Sequence, residues 1–212
     1  MSKPGFRKSR STPARSAAGG DGENYLGSSL FSQAQILHLM KTEFARARRY
    51  GAALSCVVLQ VDRLPQLVDL YGSQLRIAVR QALADLIRRK TRGSDLLGVA
   101  NEDRMLMLLP ETPVDGARLV VERLRRGFAD VEVVVDGKQL ALTLSGGISA
   151  MQGKETMFFD SLLAQAETAV ERAEQLGGDQ VLSFGECTLH GSPGLPGADD
   201  GDPAGGRPEG QP

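Results

Sequence analysis

The stretch VANEDRMLMLLPET, residues 99–112, decides the fold prediction. It predicts a β-hairpin whose return strand, from Met105 to Leu109, is apolar throughout, as expected of a buried strand. Two adjacent acids, Glu102 and Asp103, lie at the predicted tip and are followed by Arg104. The hairpin is therefore predicted to present charged groups on a tip that a buried strand holds in place.

The composition predicts one soluble, cytoplasmic domain between two tails. A chain of 212 residues with 41% hydrophobic content can bury one substantial core. The basic residues 1–24 and the acidic, Gly/Pro-rich residues 187–212 are predicted to be disordered, which leaves residues 25–186 as the domain. The net charge of −1 argues against a nucleic-acid or membrane-surface partner. Two cysteines make no disulfide framework, and no apolar stretch approaches the ~20 residues of a membrane span.

The periodic segments outside the hairpin predict alternating helices and strands. A helix is predicted around residues 36–47, with Ser29 or Ser32 as its N-cap and Gly51 as its end. Further elements are a strand at 54–61, a helix at 75–89, a helix opened by Thr112-Pro113 with the proline as its first residue, and two strands joined at Asp136-Gly137. Asp160 is predicted to cap the last helix, which Gly177 ends, and VLSF is predicted to be the final strand. This order predicts an α+β domain with a mixed, mostly antiparallel sheet flanked by helices.

The order of these elements and several local motifs resemble the GGDEF, or diguanylate cyclase-like, family. The motifs are ARARRYG at 45–51, DLYG at 69–72, LLPET at 108–112, ERLR at 122–125 and TLSGGI at 143–148. The resemblance covers residues 26 to 184 and implies the nucleotidyl-cyclase-like fold. In that family two GTP molecules are joined into cyclic di-GMP with the help of magnesium, which prefers hard oxygen ligands such as carboxylates.

The residues that the resemblance assigns to metal binding depart from the family pattern. The Gly-Gly-Asp-Glu-Phe signature falls on Asn101 to Met105, so Asn101 and Glu102 replace the glycines, Asp103 survives and Arg104 reverses a charge. The first family carboxylate falls on Gln60, whose neutral amide is a weaker magnesium ligand. We therefore expect no catalytic residues and no magnesium site.

The positions that would recognise GTP depart as well. The residues that read guanine align with Val68 and Ile77, which offer no hydrogen bond. The phosphate-contacting positions align with Pro65, Glu174 and Gly178, and Glu174 would repel a triphosphate. Together these changes predict a catalytically inactive domain.

Two other sets of residues suggest metal binding only weakly. Asp62 and Asp69 could be remnants of a metal site, but a turn cap or a surface carboxylate is the favoured interpretation. His38 and His190 lie far apart and lack the ligand spacing of a zinc site. No cofactor is expected.

The resemblance also implies a site that the chain retains. The family's inhibitory product site is an Arg-x-x-Asp shortly before the hairpin, matched here by Arg92 and Asp95, with a secondary arginine matched by Arg123. A guanidinium can donate to O6 and N7 of guanine and balance phosphate charge, and a carboxylate can accept from a guanine N–H. In the alternative, purely structural interpretation, Arg92 satisfies helix C-terminal carbonyls, Asp95 fixes a turn and Arg123 is an ordinary exposed residue.

The favoured hypothesis is therefore an inactive GGDEF-domain signalling protein that binds cyclic di-GMP through Arg92, Asp95 and Arg123. The resemblance further implies ligand-dependent homodimerisation and a protein partner that the sequence does not name. Two alternatives remain open at this point: an interaction scaffold without a nucleotide ligand, and a weak or atypical diguanylate cyclase.

Overall fold

The computed structural model describes residues 30–135, 137–151 and 158–189. Six helices and seven strands follow one another as α1 Gln33–Tyr50, β1 Leu54–Val61, α2 Leu64–Tyr71, α3 Ser73–Lys90, β2 Leu96–Val99, β3 Arg104–Pro110, α4 Val114–Ala129, β4 Val133–Val135, β5 Lys138–Leu140, β6 Leu144–Ala150, α5 Phe159–Gln175, β7 Val181–Ser183 and α6 Phe184–Leu189. The predicted tails lie outside the described residues except for 187–189, which belong to α6. Ser29, Asp136 and His190 also lie outside them.

A five-stranded sheet forms the centre of the domain. Its strand order is β2-β3-β1-β6-β7, and every pairing is antiparallel except β6 with β7. Strands β4 and β5 form a separate two-stranded sheet. The predicted α+β class with a mixed, mostly antiparallel sheet is confirmed.

Helices cover both faces of the sheet. All eight residues of β1 are buried, because its alternate side chains enter two different cores. Val57 and Leu59 belong to a core completed by α3 and α4, whereas Cys56 and Val58 belong to one completed by α1 and α5. Helix α5 lies so close to β6 that a Cβ at Gly147 would be 2.2 Å from a backbone oxygen of the helix. The end of β1 is thus held rigidly between two layers of helices.

Most helix ends follow the sequence signals. Ser32 caps α1 in a capping box with Gln35, and Gly51 ends that helix with φ 68°. Two cap predictions were wrong. Pro113 is the N-cap of α4 rather than its first residue, and Asp160 lies inside the first turn of α5, whose N-cap is Phe158.

Three features were not predicted. The segment LPQLVDLY forms the short helix α2, which begins at Leu64 with proline in its first turn. The stretch predicted as one strand after Gly137 divides into β5 and β6, with residues 141–143 between them. The final strand stops at Ser183, and Phe184 begins α6. Among the described residues, no helix has the length and apolarity needed to cross a membrane.

Candidate functional site: the hairpin tip and the Arg92 cavity

The tip of the β2–β3 hairpin is closed by the side chain of Asn101. Its Oδ1 accepts hydrogen bonds from the backbone N–H groups of Asp103, at 3.0 Å, and Arg104, at 2.9 Å. Asparagine favours such local turns because its side chain mimics a backbone acceptor. The tip is therefore a compact turn that fixes the backbone position of Arg104.

The guanidinium group of Arg104 connects the end of β1 with α5. Arg104 and Gln60 are directly paired across β3 and β1. Arg104 Nε donates to Gln60 Oε1 at 2.7 Å, and its Nη1 donates to Glu171 Oε1 at 3.1 Å. Gln60 is only 5% exposed. A positive charge thus lies at the strand end, beside the one polar side chain of β1 that faces the tip.

Both acids of the tip are bound by arginines of α3. Arg76 Nε donates to Asp103 Oδ1 at 2.8 Å, and its Nη1 lies 3.4 Å from a Glu102 carboxylate oxygen. Arg80 donates to the backbone oxygen of Glu102. The cavity left between the tip and α3 has a volume of about 10 Å³, which is at most the space of one water molecule. The space beneath the tip is filled by side chains of the protein itself.

A second candidate site lies where α3 passes into β2. Helix α3 ends at Lys90, and the backbone N–H of Arg92 donates to Asp95 Oδ2 at 2.9 Å while the Asp95 N–H donates to the Arg92 oxygen at 3.0 Å. Asp95 thus fixes this turn, as the structural interpretation predicted. The Arg92 guanidinium is exposed and has no hydrogen bond or ion pair with any described residue.

Arg123, rather than Arg92, satisfies a C-terminal carbonyl of α3. Its Nη2 donates to the backbone oxygen of Lys90 at 2.5 Å, across the contact between α4 and α3. The structural role expected for Arg92 therefore falls to Arg123 instead. The three predicted residues therefore lie around the end of α3. Arg123 binds Lys90, and the turn of Arg92 and Asp95 begins two positions after Lys90.

The Arg92 side chain lines an open cavity of about 330 Å³ that the sequence did not predict. Ser94 belongs to the same turn, Glu43 and Arg46 come from α1, and Glu111 follows β3. Arg123 does not line it. No sequence signal links α1 to position 92. The cavity brings α1 and the end of β3 together because β1 follows α1 in the chain and its first residue, Leu54, pairs with the end of β3.

The family model for the diguanylate cyclase GGDEF domain matches residues 28–180. The chain belongs to the GGDEF family. Among curated proteins it is 28% identical over 150 residues to diguanylate cyclase DgcP of Pseudomonas aeruginosa, a match that covers 71% of this chain and 22% of the relative. It is also 28% identical over 122 residues to diguanylate cyclase A of Treponema denticola, covering 58% of this chain and 31% of the relative. The chain thus spans less than a third of the length of these two relatives.

Solved GGDEF domains share the fold. The GGDEF domain of DgcB from Caulobacter crescentus, solved in complex with c-di-GMP, superposes with a TM-score of 0.69 at 17% identity, covering 74% of this chain and 93% of that one. Diguanylate cyclase SiaD of Pseudomonas aeruginosa, solved with its activator SiaC, gives 0.68 at 26% identity, covering 74% of this chain and 59% of that one. The GGDEF fold is therefore shown by sequence and by structure.

The side chains at the GGDEF metal positions do not fit magnesium. Gln60 offers a neutral oxygen already bound to Arg104, and the Asp103 carboxylate is bound to Arg76. A magnesium ion would have to lie beside the Arg104 guanidinium, which repels it. Within the described ranges no three side chains of the His, Cys, Asp and Glu types come together as a metal site.

Asp62 has a structural role at the end of β1. Its buried carboxylate accepts hydrogen bonds from Thr143 Oγ1 and Ser145 Oγ, both at 2.7 Å, and from the Asp179 N–H at 2.8 Å. A Cβ at Gly178 would lie 2.7 Å from the same carboxylate. Asp62 therefore joins β1 to β6 and to the turn after α5. Its role is structural rather than metal-binding, but it is a buried long-range acceptor and not the local turn cap or surface carboxylate that the sequence favoured.

The aligned GTP-recognition positions offer little to a nucleotide. Val68 packs partly against the core, and Ile77 is 57% exposed on α3. Pro65 lies in the first turn of α2, and Glu174 is exposed on α5. Apart from the acid Glu174, these side chains are apolar.

Proposed function

We propose that this GGDEF domain is catalytically silent and acts as a cyclic di-GMP effector through Arg92, Asp95 and Arg123. One contrast carries the proposal. The Arg104 guanidinium is hydrogen-bonded into the position of the metal site, whereas the Arg92 guanidinium lies at the rim of a cavity and is unpaired with any residue that the structure describes. The first arrangement opposes magnesium chemistry, and the second leaves a charged hydrogen-bond donor available to a ligand.

The chemistry of the turn suits a guanine nucleotide. Arg92 can donate two parallel hydrogen bonds to O6 and N7 of guanine or stack on the base. Asp95 uses Oδ2 to hold the turn, so Oδ1 remains available to a guanine N–H. A guanidinium carries five N–H donors, and Arg123 spends one on Lys90, which leaves the others for a phosphate. Each of the three residues can therefore contact the ligand without disturbing its structural hydrogen bond.

Relatives support both kinds of partner. The DgcB GGDEF domain was solved in complex with c-di-GMP, and SiaD with a protein activator. By analogy, we propose cyclic di-GMP as the ligand and an additional protein as a partner. We further propose ligand-dependent dimerisation, which these two structures do not address.

Calorimetric titration of the purified protein with cyclic di-GMP tests the proposal. We expect binding at tens of micromolar or below, with at least about a fivefold loss in Arg92→Ala, since a bidentate guanine contact is worth about 1–3 kcal/mol. Asp95→Asn keeps an oxygen that can accept from the Arg92 N–H, so the turn is retained while the second acceptor for the ligand is lost. This variant therefore separates loss of ligand contact from loss of the turn. Arg89→Ala, an exposed position on α3, is the matched control. No heat at tens of micromolar, or unchanged binding by Arg92→Ala, would refute the effector role.

Incubation with GTP and magnesium, followed by nucleotide chromatography, tests catalytic silence. We expect no cyclic dinucleotide, because the metal and triphosphate contacts are absent together and each is worth several kcal/mol in a transition state. An active GGDEF domain run in parallel validates the assay. Product formed by this protein in excess of a no-enzyme control would show that the domain is a cyclase.

A further inference from the structure

The Arg92 cavity contains both positive and negative side chains. Arg46 and Glu43 of α1 neutralise each other in an ion pair of 2.7 Å through Glu43 Oε2. Arg92 and Glu111 line the same cavity, form no ion pair with each other and have no other side-chain partner among the described residues. A site for a simple anion would exclude the carboxylate. Arg92 and Glu111 together suit a ligand that offers both hydrogen-bond donors and acceptors.

Guanine is such a ligand. One edge of the base carries the acceptors O6 and N7, and its Watson–Crick edge carries the donors N1–H and N2–H2. A guanidinium matches the acceptors, and a carboxylate with two free oxygens matches the two donors. Adenine reverses this pattern, since its N6 group donates where O6 accepts and its N1 accepts where guanine donates. A carboxylate facing adenine N1 would meet a lone pair.

We propose that Glu111 determines base specificity at the Arg92 site by accepting N1–H and N2–H2 of guanine, so that cyclic di-GMP is bound and cyclic di-AMP is rejected. The inference rests on the proposed effector function and assigns its selectivity to one residue. Asp95 is not among the described residues that line the cavity, and Glu43 shares its carboxylate with Arg46. Glu111 is the cavity carboxylate with both oxygens available.

The backbone holds Glu111 in a fixed and unusual conformation. Its φ is 52°, in the left-handed region that non-glycine residues seldom adopt and that is often associated with functional sites. Hydrogen bonds on both sides maintain it. Thr112 Oγ1 donates to the Pro110 oxygen at 2.8 Å, and Ser55 Oγ donates to the Thr112 oxygen at 2.7 Å. The carboxylate therefore projects from a constrained rim rather than from a freely moving loop.

Titrations of the full chain with cyclic di-GMP and cyclic di-AMP test this assignment. We expect Glu111→Gln to weaken cyclic di-GMP binding by about 10- to 100-fold, because one of the two acceptor oxygens becomes a donor. Cyclic di-AMP binding should stay the same or improve, so that the ratio of the two affinities falls by at least tenfold. Glu111→Gly removes the carboxylate and also relieves the positive φ, so the same fall in a stably folded variant is expected.

The outcomes separate this inference from the function on which it rests. Failure of the wild-type protein to bind cyclic di-GMP would overturn both. A second outcome would overturn the assignment of Glu111 alone. In that outcome binding depends on Arg92, but the preference of Glu111→Gln for cyclic di-GMP over cyclic di-AMP stays within threefold of the wild-type preference. Equal weakening of both dinucleotides would also overturn it, because a general effect on the cavity does not discriminate bases. Glu132→Gln, an exposed carboxylate outside the cavity, is the control.

Discussion

Replacing Arg104 with methionine tests whether this arginine stabilises the β2–β3 hairpin. The substitution keeps an unbranched side chain but removes the guanidinium. The hydrogen bond to nearly buried Gln60 has a charged donor and is worth about 1.5–3 kcal/mol. The contact with Glu171 adds at most about 1 kcal/mol, because that carboxylate is 53% exposed and solvent screens the pair. We expect Arg104→Met to lower the free energy of unfolding by about 2 kcal/mol.

Urea unfolding monitored by circular dichroism measures this loss, and thermal unfolding should show a melting temperature lower by about 4–8 °C. A double-mutant cycle with Gln60→Met isolates the hydrogen bond. The double variant should lose less than the sum of the two single losses, with a coupling of about 1–2 kcal/mol. The coupling is expected because neither side chain retains its partner once the other is removed.

Arg88→Met is the matched control. Arg88 forms an exposed ion pair with Asp85 one helical turn away, at 2.8 Å, and such pairs contribute only about 0.3–0.5 kcal/mol. If Arg104→Met changed stability no more than Arg88→Met does, or if the cycle with Gln60→Met showed no coupling, Arg104 would not be a stabilising element of the hairpin.

Three buried positions give further predictions. Gly147→Ala should lower the free energy of unfolding by about 3 kcal/mol or more, because the new Cβ would meet α5 backbone atoms at 2.2 and 2.3 Å. The control Gly93→Ala has open space around it and should change the free energy of unfolding by under about 0.5 kcal/mol. Equal effects of the two substitutions would contradict this packing. Asp62→Ala should cost about 3 kcal/mol in urea unfolding, since three donors lose their acceptor, and a loss below about 1 kcal/mol would show that these hydrogen bonds are replaceable. Burial raises the pKa of the Cys56 thiol, so only the unfolded state ionises above pH ~8.5. The contribution of the buried thiol to the free energy of unfolding should therefore be fully present below that pH and be lost as pH rises. Above that pH the free energy of unfolding of the wild type should fall faster than that of Cys56→Ala, by up to about 1.4 kcal/mol per pH unit. Parallel pH profiles of the two proteins would contradict this prediction.

The sequence predicted the parts of the fold that depend on local patterns. The Ser32 cap, the Gly51 end and strand β1 follow from neighbouring residues, and the structure has all three. The division after Gly137 escaped prediction because the alternating pattern of QLALTLSGG continues through residues 141–143, where the strands are interrupted. The position of a strand end depends on which partner is present, and a single sequence does not contain that information.

The candidate sites show the same division between local and long-range information. The Arg92–Asp95 turn spans four residues, so both its motif and its structural alternative could be predicted. The cavity beside it joins α1 to the end of β3, and no local pattern groups Glu111 with Arg46. The positive φ of Glu111 could not be predicted either, since a left-handed glutamate has no sequence signature.

Arg104 explains how the hairpin can depart from the family signature and keep its place in the fold. A cluster of carboxylates at a strand end repels itself unless a cation neutralises it. In this chain the cation is covalently attached, because Arg104 binds Gln60 and Glu171 while Arg76 binds Asp103. The arrangement of strand, tip and α5 therefore needs no metal, and the same positive charge opposes its binding. The Arg92 turn lies at the opposite end of β2 from the tip. The proposed loss of catalysis at the tip and the proposed ligand binding at the turn are therefore structurally compatible.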